Sequence, residues 1–128
     1  MIASNELRIG NWVSLKCLVN YVGDDHSPHQ INIHNLVSIV ENNTEWEFLP
    51  IPLTPEILEK CGFYKLNNNW STNVPDTFKI NLYNLNDGNG YLNLIINGAN
   101  IPCPKINSLH QLQNICFALT GEELIINL

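Results

Sequence analysis

The stretch FKINLYNLNDGNGYLNLIIN (Phe78–Asn97) decides how the rest of the chain is read. Phe78, Ile80 and Leu82 alternate with Lys79, Asn81 and Tyr83, the period-two pattern of a half-buried strand. Asn86-Asp87-Gly88-Asn89-Gly90 gathers residues that tolerate positive φ, so the chain turns back on itself there. Tyr91 to Asn97 returns with Leu92, Leu94 and Ile96 on one face. Two such strands across a tight turn pair antiparallel. Gly88 and Gly90 are then hairpin glycines, because a phosphate cradle would open a helix rather than a strand.

The flanks add more hairpin and two helices. Phe63–Leu66 and Trp70–Thr72 flank Asn67-Asn68-Asn69, a second turn. Before it, Thr54 can accept a hydrogen bond from the first free N–H groups of a helix. Pro55 fits the first helical position, where its missing N–H costs nothing. Leu53 and Leu58 stand at staple positions, and Gly62 supplies a left-handed stop, so a helix is predicted over about 55–61. Downstream, Ser108 and Gln111 have capping-box spacing. Leu109, Leu112, Ile115, Cys116 and Leu119 draw an apolar stripe ended by Gly121, a second helix over about 109–120. Leu124–Leu128 reads as a short final strand.

The first third reads as strands throughout. Glu6–Ile9, Trp12–Val19, the Ile31/Ile33 alternation, Leu36–Val40 and Glu45–Leu49 are broken by Gly10-Asn11, a loop over Asn20–His29, and Asn42-Asn43-Thr44. Short strands this closely spaced suggest a small, bent, SH3-like β region. The expected fold is α+β: one domain over 1–128, an antiparallel sheet and two short helices.

Composition narrows function more than motifs do. Hydrophobic residues make up 45 %, which argues against disorder. Charged residues are only 14 %, against roughly 25 % in an average domain. The net charge of −6 reflects few bases, six Lys and Arg in all, spread without a basic run. Direct nucleic-acid binding is therefore not expected. The acids are scattered too, so a solvated acidic surface is a better reading than a mimic of closely spaced phosphates. No stretch approaches the ~20 apolar residues of a membrane span, and Glu6, Arg8 and Asn11 interrupt any signal-peptide run. A cytoplasmic protein of a bacterial host is expected.

Cys17, Cys61, Cys103 and Cys116 form no C-x-x-C pair and sit among apolar neighbours, as small core residues do. No Gly-x-Ser-x-Gly elbow marks a nucleophile. His110 lies at the second position of a helix and is expected to border the core or bond a neighbouring loop. Asp24-Asp25-His26-Ser27-Pro28-His29, with His34 nearby, is the sharpest metal candidate, but no helix aligns its donors, so a polar loop is the better reading. No cofactor, metal or catalytic residue is assigned. Tyr21, Asp24, Asp25, His26, His29, His34, Trp46, Asn68 and Trp70 are instead the candidate partner-binding residues. They fall in the Tyr21–His34 loop, in the Asn67–Trp70 turn and, at Trp46, between two glutamates. Trp12 reads as core, and Trp46 and Trp70 as surface anchors.

Three segments together carry a resemblance: NELRIGNWV (Asn5–Val13), PIPLTPEILEKCGF (Pro50–Phe63) and SLHQLQNICFALTGEELIINL (Ser108–Leu128). They resemble, in the same order, a family of small uncharacterised proteins common in Bacteroidetes genomes, prophages and phages. The resemblance implies a phage or mobile-element origin and no catalytic residue.

Three roles are then expected in descending order. The first is a non-enzymatic interaction protein, an inhibitor of the anti-CRISPR kind that binds a host defence nuclease, RNA-guided or otherwise. The second is a structural or replication accessory protein that self-assembles. The third is a metal-dependent hydrolase using His26, His29 and His34.

Overall fold

The computed structural model describes residues 2, 4–17, 27–41, 46–66, 69–73, 78–83, 90–96 and 99–128. The chain folds as two compact units, Met1–Ile51 and Pro52–Leu128. Both combine helices with a small antiparallel sheet, so the α+β class holds.

In the first unit, β1 (Trp12–Cys17) is the central strand, with β2 (Ser27–Gln30) on one side and β3 (Trp46–Leu49) on the other. Both pairings are antiparallel; Val13 lies opposite His29 and Leu15 opposite Phe48. Ile2, Leu7, Val13, Ile31 and Phe48 form the core, joined by the partly buried Leu15, Leu36 and Ile39. Besides Ser27–His29, expected in a loop but paired with β1 as part of the edge strand β2, where Pro28 is tolerated, two sequence expectations fail here. The segment Glu6–Ile9 is no strand: Ser4–Glu6 is a 3-10 turn and the chain then bends at Gly10, whose φ is +96°. The bend is set by Asn11, which is fully buried. Its Oδ1 accepts from the Arg8 N–H at 2.8 Å, and its carbonyl accepts from Ile31 at 2.8 Å.

The second failure is larger. Ile33–Val40, read as strand at Ile33 and Leu36–Val40, is a helix, α1. Its start is a capping box of two asparagines. Asn32 Oδ1 accepts from the Asn35 N–H at 3.0 Å, and Asn35 Oδ1 accepts from Asn32 at 2.8 Å. Short β-branched runs read equally as buried strand or helix. The cap, with Leu36 and Ile39 turned onto the core, decides for helix. The N-terminal β region is thus three strands and a helix.

In the second unit, α2 spans Pro55–Lys60, as expected from Thr54, whose hydroxyl accepts from the Ile57 N–H at 3.3 Å. Gly62 takes φ +84° just past it. Five strands follow in simple meander order: β4 (Tyr64–Leu66), β5 (Asn69–Asn73), β6 (Phe78–Tyr83), β7 (Gly90–Ile96) and β8 (Ala99–Ile106). The hairpin that anchored the sequence reading is present, with Ile80 opposite Leu94 and Leu82 opposite Leu92. The strand β8 carries Pro102 and Pro104, which hid it from propensity, and as an edge strand it tolerates them.

The last helix, α3 (Leu109–Thr120), buries Leu109, Leu112 and Cys116. Leu119, expected in the stripe, is exposed. The expected capping box is displaced by one residue: Gln111 Oε1 accepts from Asn107, and Ser108 Oγ sits 3.2 Å from His110 Nδ1 instead. Leu124–Leu128 is not a strand. Leu124 is buried, and Asn127 donates to the Lys60 carbonyl at the end of α2, which is a helix terminus and offers no ladder.

Candidate functional site

Of the residues proposed to bind a partner, Tyr21, Asp24, Asp25, His26 and Asn68 lie outside the described residues. His29, His34, Trp46 and Trp70 do not share one environment. Trp70, expected at the surface, is only 7 % exposed and sits on β5 opposite Leu82 and Lys65, in the other unit. It is a core residue, carried inward by its place on β5. Trp46 opens β3 opposite Cys17.

His29 and His34 do come together in one corner. His29 lies on the edge strand β2, and its Nε2 is 2.9 Å from Asn35 Oδ1, so a proton on Nε2 is donated to the α1 cap. Its ring stands 6.4 Å from that of Phe48, tilted by 45°. The capping carboxamide of Asn35 therefore ties β2 to the first turn of α1. His34 follows on that turn, exposed to solvent. Among the described residues, no three His, Cys, Asp or Glu are grouped to hold a metal.

Beside these histidines lies a feature that the strand reading concealed. Ile33, Val37 and Val40 are 56 %, 47 % and 71 % exposed. At spacings of four and three they line one side of α1. Read as strand, Val40 would have faced away from Ile33 and Val37. The surrounding stretch Ser27–Val40 contains no Asp, Glu, Lys or Arg. The available signal was the pair Asn32 and Asn35, spaced like a capping box ahead of an apolar run.

The second unit holds a cavity of about 320 Å³ where the end of α2 meets the C-terminal segment. Cys61, Thr72 and Leu124 line it, with Glu59, Lys60 and Glu122 also in its wall. Thr72 Oγ1 donates to the Gly62 carbonyl at 3.4 Å. Burial pushes the Cys61 thiol from its ordinary value near 9 up to about 12, so it stays protonated and unreactive at neutral pH. Cys61 and Cys116 are both buried thiols, as their apolar neighbours suggested.

No helix among the described residues is long and apolar enough to cross a membrane. Comparison of the chain with models of known families, with curated proteins and with solved structures gives no match.

Proposed function

We propose that this chain is a non-enzymatic interaction protein of a phage or other mobile element, which acts by docking onto a protein of its bacterial host. The observation that carries this reading is the charge-free stretch Ser27–Val40 on a chain of net charge −6. It folds into an exposed edge strand and a helix with an uncovered apolar side. A surface depleted of charge and enriched in apolar side chains is what protein contacts use at their centre. The same stretch holds His29 and His34. Within this reading the N-terminal unit is a variant of an SH3-like β region in which α1 replaces a strand. The expected partner is a defence nuclease, which this protein would inhibit as anti-CRISPR proteins do.

Affinity capture from host lysate tests it. The wild type retains a host nuclease or other nucleic-acid enzyme at moderate salt. The variants Ser27→Glu/Pro28→Glu, which charge the β2 edge, release it. Recovery of the bait alone, or capture indifferent both to these changes and to Val37→Asp, contradicts the reading.

A further inference from the structure

We infer that the outward side of α1 is the contact through which two copies of this chain pair, antiparallel, about a two-fold axis near Val37. This presupposes that Ser27–Val40 is a docking face, as proposed above, and names the occupant of its helical half.

The division of labour within α1 comes first. Leu36 and Ile39 pack on the core of their own unit, whereas Ile33, Val37 and Val40 lie on an adjoining side and stay exposed. Three apolar side chains at positions i, i+4 and i+7 are the spacing with which one helix packs on another. The stripe is also close to symmetric about its middle residue. A two-fold axis through Val37 sets Ile33 beside the partner's Val40 and Val37 beside the partner's Val37.

Charge selects a second copy and fixes its direction. At net −6, two copies repel in most orientations. A contact through Ser27–Val40 brings no like charges together, because the stretch has none. The carboxylate that directly follows the stretch is Glu41, the exposed C-cap of α1. His34 precedes it by seven residues, about two turns, so both lie on one flank of the stripe. Antiparallel pairing places each His34 beside the partner's Glu41, twice over, in an isologous contact. It also sets each carboxylate near the other helix's N-terminal end, where negative charge is favoured. Parallel pairing would instead put the two Glu41 side chains at the same end on opposite flanks, with no partner His34 beside either.

The pairing is weak by its size. Three side chains on a two-turn helix cover far less than the ~800 Å² per partner of a standard interface, so the dissociation constant is on the order of 10–1000 μM. The β2 edge takes no part in it and stays open to the host protein.

Sedimentation velocity of the full chain from about 10 μM to about 1 mM spans that range. The wild type shifts toward dimer with concentration, and Val37→Asp stays monomeric throughout. His34→Glu weakens pairing at least fivefold by facing Glu41 with a like charge. The double variant H34E/E41K restores it, which general stickiness of an apolar patch would not do. Far-UV circular dichroism checks that each variant is folded; should V37D not fold, Ile33→Gln/Val40→Gln replaces it. A wild type monomeric at 1 mM, association indifferent to V37D, or no rescue by the double variant overturns the proposal. A monomeric wild type whose host capture is nevertheless abolished by V37D would leave the docking face standing with a different occupant. If V37D and the β2-edge variant both leave host capture unchanged and the wild type is monomeric, the docking face falls as well.

Discussion

The helices α3 and α1 are both capped and both carry apolar residues at helical spacing, yet they use them in opposite ways. In α3, Leu109, Leu112 and Cys116 are fully buried, and His110 and Gln113 go under with them. In α1 no residue is fully buried. Its helical form rests on the Asn32–Asn35 box, on the His29 bond to that box, and on the half-buried Leu36 and Ile39. The difference separates two purposes for an amphipathic helix. One is a wall of its own core; the other is held lightly from within and turns half its apolar surface outward. A helix of eight residues is too short to be stable alone in water. Its caps and its few inward contacts therefore matter out of proportion to their number.

Substitutions can break or sharpen this contrast. The largest effect is expected in α3, where Leu112→Ala empties a fully buried site and costs about 3–4 kcal/mol in chemical denaturation. Next comes the thiol beneath α2. A buried thiol held neutral, its pKa raised from 9 to about 12, adds stability that is complete below pH 9 and is lost as pH rises toward 12. Denaturation midpoints should fall through that window at up to about 1.4 kcal/mol per pH unit from this group, and Cys61→Ala should flatten the slope.

On the α1 side the energetics are polar and smaller. Asn11→Ala removes the buried acceptor of the Arg8 N–H and should cost about 2 kcal/mol, more than any single change on α1 itself. Asn32→Ala removes one half of the capping box and should cost about 1 kcal/mol, with a small loss of helical ellipticity. Val37→Ala, on the outward side, should change the stability of the monomer by less than about 0.5 kcal/mol. If Val37→Ala instead cost as much as Leu112→Ala, α1 would be a core helix and the contrast would collapse.

The parts legible in the sequence were those where one local signal sufficed. Thr54-Pro55 and Gly62 bounded α2, and the alternation from Phe78 to Ile96 gave both strands and their antiparallel pairing. The parts missed were those decided by competition. Val37, Ile39 and Val40 favour strand by side-chain shape, but the two asparagines ahead of them nucleate a helix. The strand Ala99–Ile106 carries Pro102 and Pro104, residues that strand propensity disfavours and an edge position permits. Ser108 and Gln111 had the right spacing, yet Ser108 is buried, pairs through Pro52, and turns its hydroxyl to His110. At the candidate site the sequence singled out His29 and His34 for their polar character, and the structure places them on β2 and α1 on either side of the Asn32–Asn35 cap. The sequence reading missed the apolar stripe between them and Glu41, because reading that segment as strand scattered Ile33, Val37 and Val40 over two faces. Trp70 was misplaced for a related reason: an aromatic after a polar turn can face either way, and here it faces the core.

The measurement that tests the central claim most directly is a series of ¹H–¹⁵N correlation spectra of the full chain recorded across the concentration range of the proposed pairing. Concentration-dependent shifts are expected on the amides of Ile33–Glu41, with the α3 amides unmoved, and they should disappear in Val37→Asp. Spectra that stay constant in α1 while shifts gather elsewhere, or that change in V37D as in the wild type, would contradict the pairing.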